Sequence, residues 1–464
     1  MIKLTLREIA NAVDGKILSG KEDIEINSVS IDSRNMLHNG LFIPLKGDKV
    51  DGHDYITKAF ENNAAAVLTQ YNTHPYQDKG IVLVKDTKAA LGQIAKYYKK
   101  KFKVKTVAVT GSVGKTTTKD MLASVLGMQY NTLKTEGNYN NEIGLPLTVM
   151  KLNSSHEAAV FEMGMSAFGE ISYLADIVRP DVGIITNIGM SHIENLGSRE
   201  GIYKAKMEIC QYFDKSCLLI VNGDDDYLVK AGENKSFEVI TYGIENKNCD
   251  YVAYDIENLG LEGSKFKTKL YGAEYTIYVK TPGVHNIYNA LAAAACGVHY
   301  NIGPRKIAEG IENFSLTKMR MAIEKAGDMV IINDCYNSSP DSVNAALKVL
   351  STQQSRRVAV LGDVLEMGEY AQEAHIKMGE YVSANGIDYL ITVGENAKFI
   401  AEGAKKAGFN EKNIISFETT EQARDNIMNY IENKDSILIK ASRGMNFEML
   451  TEKILKNAKE FTNE

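Results

Sequence analysis

The chain has 464 residues, too many for one ordinary hydrophobic core, so two to four domains are expected. Its 44% hydrophobic and 24% charged residues are typical of a globular protein and argue against a disordered or fibrous one. The net charge of −6 argues against nucleic-acid binding, and the most apolar stretch, residues 290–298, is far below the ~20 residues of a membrane helix, so we expect no membrane insertion.

The cysteines indicate a reducing compartment. Five of them are scattered along the chain without close pairing, and they form no Cys/His spacing typical of a metal site. An odd, dispersed set of this kind is expected to be reduced, which predicts a cytoplasmic protein. The five are Cys210, Cys217, Cys249, Cys296 and Cys335.

The first 85 residues predict a small mixed domain. Short apolar runs at residues 41–45, 64–68 and 81–84 are separated by turns rich in Gly and Asp. A helix predicted over residues 87–101 then leads into a different pattern.

The remaining chain predicts two successive α/β domains. Nearly continuous apolar runs are typical of parallel strands covered by helices on both faces. In the first series they lie at residues 106–110, 158–163, 182–186, 218–221 and 238–242. An alternating pattern between 251 and 280 predicts antiparallel strands, followed by a helix over 286–298. The second series begins near Phe314, with strands expected at 329–332, 358–361, 389–393 and 436–439.

The loop between the first central strand and its helix predicts a phosphate site. It reads Gly111-Ser112-Val113-Gly114-Lys115-Thr116. Glycines let backbone N–H groups turn toward an anion at a helix N-terminus, Lys115 adds a point charge, and Thr116 offers a hydroxyl to Mg²⁺. The common motif carries a further Gly where this chain has Val109. A glycine-rich structural turn is the alternative, but the strand–loop–helix context favours nucleotide binding.

Two polar residues near later strand ends are each open to two interpretations, and a lysine on a later helix has a simpler one. Glu162 ends an apolar strand, so it is either a Mg²⁺ ligand beside the phosphate crevice or a surface carboxylate. His192 follows the next strand and is either a ligand of metal or phosphate or a hydrogen-bonded structural residue. Lys206 lies with Lys204 on a predicted helix, where lysines usually form a solvated face.

Several segments together resemble the Mur ligase family, the ATP-dependent amino-acid ligases of peptidoglycan synthesis. The phosphate loop looks like the family's own version, which tolerates a residue other than Gly at position 109. Similar family segments are found at residues 110–117, 135–146 and 283–290, and residues 30–34, 41–47 and 51–54 look like its N-terminal UDP-binding domain. Residues 334–342 and 361–368 resemble segments of the member that joins D-alanyl-D-alanine to UDP-N-acetylmuramoyl-tripeptide, with Ser338 and Ser339 in place of the usual Ala-Asn.

The resemblance implies a fold and a function for each part of the chain. It implies an α/β fold of three domains: an N-terminal UDP-substrate domain over 1–85, a central P-loop parallel-sheet ATPase-like domain over 86–313, and a C-terminal Rossmann-like domain over 314–464. The implied reaction is ATP-dependent amide ligation through an acyl phosphate, with ATP and Mg²⁺ as cofactors. The implied partners are UDP-N-acetylmuramoyl-tripeptide and D-alanyl-D-alanine, and the protein is expected to be a monomer.

It also implies residue roles. Catalytic roles fall to Lys115, Glu162, His192 and Arg320. ATP would contact Gly111, Ser112, Val113, Gly114, Lys115, Thr116, Thr117, Asn286, Asn289, Asp334 and Asn337. The other substrates would meet Ser33, Arg34, Asn138, Asn141, Lys440, Ser442 and Arg443. Metal ligands would be Thr116, Glu162, His192 and, after the carbamylation found in some relatives, Lys206.

Other functions share parts of this pattern. A ligase that adds the third amino acid and a folylpolyglutamate synthetase share the central loop, but the segments at 334–342 and 361–368 argue against the first and the UDP-domain pattern against the second. A P-loop switch or motor would have no use for a UDP-binding domain. A catalytically inactive binding module would not need the phosphate and metal groups. The pattern is compatible with either lysine or diaminopimelate at the third position of the tripeptide.

Overall fold

The computed structural model describes residues 2–72, 75–76 and 78–461, the last four of these by their backbone alone. Its strands are β1 (Leu4–Thr5), β2 (Lys16–Ser19), β3 (Glu25–Ile26), β4 (Ser28–Ser30), β5 (Gly40–Phe42), β6 (Ala64–Thr69), β7 (Gly80–Leu83), β8 (Lys105–Thr110), β9 (Thr132–Lys134), β10 (Ala158–Glu162), β11 (Val182–Ile185), β12 (Leu218–Asn222), β13 (Glu238–Gly243), β14 (Tyr251–Val252), β15 (Tyr254–Asn258), β16 (Ser264–Leu270), β17 (Ala273–Val279), β18 (Ala322–Ala326), β19 (Met329–Asn333), β20 (Arg357–Gly362), β21 (Tyr389–Val393), β22 (Ile414–Phe417) and β23 (Ser436–Lys440).

The α-helices are α1 (Leu6–Ala12), α2 (Ile56–Glu61), α3 (Thr87–Lys99), α4 (Lys115–Gly127), α5 (Gly144–Val149), α6 (Glu170–Val178), α7 (Ile193–Leu196), α8 (Arg199–Met207), α9 (His285–His299), α10 (Pro304–Glu312), α11 (Pro340–Leu350), α12 (Ala371–Ala384), α13 (Ala397–Lys406), α14 (Thr420–Asn426) and α15 (Glu448–Phe461). Within the described part of the chain, none of them is both long and apolar enough to cross a bilayer.

The N-terminal part is built on a five-stranded sheet in the order β2-β7-β6-β5-β4. Only β2 runs antiparallel to its neighbour, and the other pairs are parallel. Helix α1 begins at a capping box, in which Thr5 and Glu8 satisfy each other's backbone N–H groups. Helix α3 follows this sheet and contacts α1 on one side and α5 and α6 of the next part on the other.

The central part is a seven-stranded, fully parallel sheet in the order β14-β13-β12-β11-β8-β10-β9. The chain enters at β8 and later places β10 on one side of it and β11 on the other, so the direction of strand addition reverses there. Ligand crevices of open α/β sheets form at the carboxyl end of such a reversal. The phosphate loop leaves β8 at that end. A three-stranded antiparallel sheet, β15-β16-β17, follows as the alternating pattern predicted.

The C-terminal part is a six-stranded sheet in the order β18-β19-β23-β20-β21-β22. It is mixed, because β18 pairs antiparallel with β19 while the other four pairs are parallel. The predicted three-domain α/β architecture is confirmed. The edge strands β18 and β22 were not predicted, since an edge strand is only half covered and lacks a continuous apolar run.

The buried apolar side chains do not separate cleanly into domains. One contiguous cluster includes Leu6 of the N-terminal part, Leu91 of α3, Leu145 of the central part and Leu438 of the C-terminal part. A second cluster fills the other face of the central sheet, against α4 and α9. Helix α3 is therefore buried between the N-terminal and central parts and belongs structurally to both.

Candidate active site

A crevice of about 590 Å³ lies where the central and C-terminal sheets face each other. It is walled by the phosphate loop, by the segment after β9 and by the loops that follow β19 and β20. Eighteen of the predicted site residues line it. They are Ser112, Val113, Gly114, Lys115, Thr116, Thr117, Asn138, Asn141, Glu162, His192, Asn286, Asn289, Arg320, Asp334, Asn337, Lys440, Ser442 and Arg443.

The conformation of the phosphate loop is fixed by hydrogen bonds to the end of the neighbouring strand β11. Gly111 has φ of +150° and lies so close to Thr186 that an added Cβ would sit 1.8 Å from the Thr186 hydroxyl oxygen. The Thr186 hydroxyl donates to the carbonyl of Val113 (2.5 Å), and the Asn187 side chain both accepts from Val113 N–H (2.9 Å) and donates to its carbonyl (3.0 Å). These contacts preorganise the loop. Sequence reasoning missed Thr186 and Asn187, although both stand at the end of a predicted strand.

Lys115 is the first residue of α4 and lies at the floor of the crevice. Its ammonium donates to the carbonyl oxygens of Gly111 (2.6 Å) and Ser112 (3.2 Å), both within the loop. Burial, offset in part by the Glu162 carboxylate and reinforced by the Arg320 cation, lowers the pKa of Lys115 from 10.5 to about 8. The group is still mostly protonated at neutral pH, so it presents a poorly solvated positive charge to an incoming phosphate.

Glu162 is buried, with 2% of its surface exposed, so the alternative of a surface carboxylate is wrong. Its Oε1 accepts from Asn140 Nδ2 (2.8 Å) and Thr116 Oγ1 (3.3 Å), while its Oε2 is buried without a partner. Arg320 approaches the same hydroxyl, with Nη2 3.3 Å from Thr116 Oγ1, and its Nε is also buried and unpartnered. An unsatisfied carboxylate oxygen and an unsatisfied guanidinium N–H thus flank one threonine hydroxyl.

These two unsatisfied atoms fit a bound cation and anion. Buried polar atoms are rarely left unpaired, and those without a protein partner are commonly satisfied by an ordered water or an ion. A carboxylate oxygen beside a threonine hydroxyl is a hard-oxygen donor set suited to Mg²⁺. Among residues 2–72, 75–76 and 78–461, no three His, Cys, Asp or Glu side chains converge as a metal site. A cation here would therefore complete its shell with phosphate and water oxygens, as Mg²⁺ commonly does.

Tyr336 and Asn140 are two further crevice residues without a role in the sequence-based prediction. The Arg320 guanidinium stacks 4.2 Å above the Tyr336 ring, an arrangement that holds the arginine side chain in place. Asn140 orients the Glu162 carboxylate, as described above. The signal for Asn140 was its place in the 135–146 segment, whereas nothing local to Tyr336 indicated its contact with Arg320.

His192 lies at the central-domain rim of the crevice, just before α7. Its Nδ1 is hydrogen-bonded to the carboxylate of Glu366 from the C-terminal part. That bond lowers the pKa of Glu366. The His192 ring is about a quarter exposed, and its role as a ligand of metal or phosphate stays a prediction.

Lys206 is almost fully buried, with 1% of its surface exposed, so the predicted solvated face is wrong at this position. Lys204 does point to solvent, where it pairs with Glu200. Lys206 lies on the same face of α8 as Ile202 and Ala205, at the i, i+3 and i+4 spacing of a buried stripe. Burial, with a smaller effect from the Lys115 cation, lowers the pKa of Lys206 well below its usual value. The residue does not line the crevice itself.

The asparagines of α9 join that helix to the phosphate-loop helix. Asn286 donates to the carbonyl of Pro282 (2.8 Å) and accepts from Asn289 Nδ2 (3.0 Å). Asn289 Oδ1 accepts in turn from Thr118 Oγ1 (3.0 Å) and lies so close to Gly114, whose φ is +89°, that an added Cβ there would be 2.7 Å away. Their amides therefore brace the loop as well as lining the crevice.

Lys440 belongs to the C-terminal wall, where it is buried. Its ammonium has three donors and three acceptors: Asp334 Oδ2 (2.5 Å), Asn337 O (3.0 Å) and Asp334 O (3.4 Å). These bonds give Lys440 a supporting role under Asp334 and Asn337, and its predicted direct contact with substrate stays a prediction. Ser442 accepts from Leu365 N–H (3.0 Å), and Arg443, half exposed, pairs with Glu448 (2.9 Å).

Two of the predicted substrate residues lie away from this crevice, in the loop after β4. Ser33 is buried and accepts from Asn62 through its backbone carbonyl (2.8 Å). Arg34 is largely exposed and pairs with Asp32 (2.9 Å), which holds the pKa of that carboxyl at about 2. Of the two side chains, only that of Arg34 is exposed on the N-terminal domain, and the role of this loop in anchoring a substrate stays a prediction.

Three family models cover most of the chain. A model described as the Mur ligase family catalytic domain matches residues 25–99, the Mur ligase middle domain matches 109–297, and a Mur ligase glutamate ligase domain matches 319–443.

Individual relatives match nearly the whole length. A UDP-N-acetylmuramoyl-tripeptide–D-alanyl-D-alanine ligase of Bacillus subtilis is 41% identical over 98% of this chain and 99% of its own. A crystal structure of MurF from Acinetobacter baumannii superposes with a TM-score of 0.90 at 30% identity, covering 98% and 99% of the two chains. The MurF ligase of Thermotoga maritima in complex with ADP superposes with a TM-score of 0.82 at 25% identity, covering 94% and 98%.

Proposed function

The chain belongs to the Mur ligase family and adds D-alanyl-D-alanine to UDP-N-acetylmuramoyl-tripeptide in an ATP-dependent step of peptidoglycan synthesis, and from this premise we propose how its residues carry out the reaction. The observation that carries the assignment of roles is the pair of unsatisfied buried atoms, Glu162 Oε2 and Arg320 Nε, on either side of Thr116 at the phosphate loop.

The first half-reaction activates the tripeptide. Its terminal carboxylate oxygen attacks the γ-phosphorus of ATP, the bond to the bridging oxygen breaks, and ADP leaves behind an acyl phosphate. Carboxylates are poor electrophiles, and the phosphoryl group provides the leaving group they lack. Lys115 and Arg320 neutralise the charge on the transferred phosphoryl oxygens. The loop tethered by Thr186 and Asn187 holds that group in line.

The second half-reaction forms the amide. The amine of D-alanyl-D-alanine attacks the acyl carbonyl carbon, a tetrahedral intermediate forms, phosphate leaves and the nitrogen releases a proton. The residues after β19 and β23 form the C-terminal wall of the crevice, so we assign to them the incoming dipeptide and part of the nucleotide. Enclosing the acyl phosphate between two domains limits its hydrolysis by water.

Mg²⁺ fits the donor set at Thr116 and Glu162 Oε2, with His192 as a further ligand, and when bound it would supply charge neutralisation at the phosphates. Glu162 is already oriented by Asn140, so only its second oxygen has to meet the ion.

Lys206 is suited to carbamylation. Only a neutral amine adds to CO₂, and its depressed pKa makes that form available. The carbamate would convert a buried cation into a carboxylate-like group near Lys115. We expect a carbamate carbon signal by NMR when the wild-type protein is equilibrated with ¹³C-bicarbonate, and none in a Lys206→Met variant. A wild-type spectrum without that signal would rule the modification out.

The reaction itself is tested by incubating the enzyme with ATP, Mg²⁺ and the UDP-linked tripeptide, with and without D-alanyl-D-alanine. ADP release that depends on the dipeptide, with a matching mass gain of the UDP product, is the expected result. Release independent of the dipeptide would contradict it. Running the tripeptide with either lysine or diaminopimelate at its third position identifies the substrate, and Lys115→Ala serves as the inactive control.

We further propose a role for each domain, a cellular compartment and an oligomeric state. The N-terminal domain over 1–85 anchors the UDP moiety through the region of Ser33 and Arg34, the domain over 86–313 binds ATP, and the domain over 314–464 binds the dipeptide and nucleotide. All five cysteines are free thiols, which favours the cytoplasm. One chain supplies every wall of the crevice, so a monomer is sufficient, and light scattering at working concentration tests this.

A further inference from the structure

One hydrogen bond crosses the crevice and joins two residues 174 positions apart. His192 Nδ1 of the central part meets Glu366 Oε2 of the C-terminal part. Both side chains line the crevice. Because Nδ1 is engaged by the carboxylate, Nε2 is the ring nitrogen left to bind a ligand.

Both residues are held in an unusual backbone conformation. His192 has φ of +62° and Glu366 has φ of +61°, in the left-handed region that costs a side-chain-bearing residue about 1–3 kcal/mol. Such conformations persist only where the surroundings hold them, and they concentrate at functional sites. Here the two loops present their side chains directly at each other.

The surroundings of this pair are interlocked. Gly368 has φ of +51°, and a Cβ added to it would lie 2.9 Å from Glu194 Cγ, at the start of α7. The hydroxyl of Tyr370 donates to the carbonyl of Gly197 at the other end of that helix (3.2 Å). Helix α7 thus contacts the segment that carries Glu366 at its first turn and just after its last residue, so the His192–Glu366 bond requires the C-terminal part to be seated against the central part.

We propose that Glu366 is a positioning residue that orients the His192 imidazole, and fixes its tautomer, only when the C-terminal domain closes. A carboxylate that accepts from one nitrogen of an imidazole raises the basicity of the other and fixes the direction of its lone pair. The inference rests on the proposed role of His192 as a ligand of metal or phosphate. Because Glu366 belongs to the domain that carries the dipeptide site, His192 is correctly oriented only after that domain closes, and metal affinity rises with closure.

The test compares four variants of the full-length enzyme: Glu366→Ala, Glu366→Gln, His192→Ala and the control Glu369→Gln. Glu369 is an exposed carboxylate three residues further along the same segment. Mn²⁺ affinity is measured by electron paramagnetic resonance in the presence of a non-hydrolysable ATP analogue and both other substrates. Turnover is measured in parallel as separate kcat and KM values.

We expect Glu366→Ala to weaken Mn²⁺ binding and to lower kcat by about 10- to 100-fold, the range found when the partner of a metal-binding histidine is removed. Glu366→Gln retains an oxygen that accepts from Nδ1 and should recover most of the loss, while Glu369→Gln matches the wild type. Nucleotide affinity without metal should not change in any of these variants, because the phosphate loop is untouched.

Two outcomes would overturn the inference in distinguishable ways. If His192→Ala weakens Mn²⁺ binding and Glu366→Ala does not, the ligand role stands and the positioning role of Glu366 is wrong. If His192→Ala leaves Mn²⁺ affinity unchanged, the ligand role of His192 fails and the positioning role fails with it. A Glu366→Gln variant as impaired as Glu366→Ala would also contradict orientation by hydrogen bonding.

Discussion

Replacing Lys115 by methionine should stabilise the ligand-free enzyme while abolishing ATP turnover. The pKa of Lys115 falls from 10.5 to about 8 because its ammonium is poorly solvated. That difference corresponds to a penalty of about 3 kcal/mol for keeping the group charged in the folded state, and partial access to solvent makes this an upper value. The two hydrogen bonds to Gly111 and Ser112 are lost with the amine, at about 1 kcal/mol each.

We therefore expect Lys115→Met to raise the free energy of unfolding by about 1 kcal/mol near pH 7. This corresponds to a rise of about 2–4 °C in the melting temperature for a domain of this size. The gain should depend on pH in a definite direction. Because the folded-state pKa lies below the unfolded value, the wild type carries the whole penalty below about pH 8 and loses it as pH rises toward 10.5. The stability difference between variant and wild type should therefore shrink over that range.

The assay is thermal unfolding of both proteins at pH 7 and pH 9.5, without ligand and with ADP and Mg²⁺. Lys204→Met is the matched control, because Lys204 is exposed on α8 and should leave stability within about 0.5 kcal/mol. Nucleotide should stabilise the wild type and not Lys115→Met. A Lys115→Met protein that melts below the wild type at pH 7, or that still releases ADP, would refute the reasoning.

Three further variants test other parts of the site. Glu162→Gln should lower turnover by about 100-fold and weaken Mn²⁺ binding while leaving metal-free ADP affinity unchanged; an active variant would remove Glu162 from the metal site. Arg34→Ala should raise KM for the UDP substrate about tenfold with kcat unchanged, whereas a change in kcat alone would contradict an anchoring role. Lys440→Met should destabilise the C-terminal domain by about 3–5 kcal/mol in urea unfolding, because it leaves the charge of the buried Asp334 carboxylate unpaired. Adding Asp334→Asn should recover much of that loss.

Patterns local to the sequence predicted the sheets and the phosphate loop well. Strands buried on both faces give continuous apolar runs, so the ends of β8, β10 and β11 could be located. The side chains that follow these ends lie where the direction of strand addition reverses, so they could be located as well. The same reasoning failed at edge strands such as β22, where only one side is covered. The burial of Lys206 has a signal in its i+4 spacing from Ile202, but lysines on helices are usually exposed, so its charge predicts a solvated face.

Contacts between distant segments could not be predicted in this way. The His192–Glu366 bond joins two loops in different domains, and the Tyr336 ring under Arg320 depends on how the C-terminal part sits on the central part. Neither position carries a periodic pattern, because each lies in an irregular segment whose conformation is set by its neighbours. The ion pair of Lys440 with Asp334 is of the same kind, since it joins residues that are far apart in the sequence.

The cluster of buried side chains that runs through all three parts limits how domains of such ligases can be exchanged in chimaeric proteins. Helix α3 packs on α1 before it and on α5 and α6 after it, so a chimaera joined at residue 85 would pair this helix with a foreign partner on one face. A donor N-terminal segment would have to bring along its own α3 together with matching residues on α5 and α6. Exchange of substrate specificity between sister enzymes is therefore expected to proceed by point changes at the crevice rather than by transfer of whole domains.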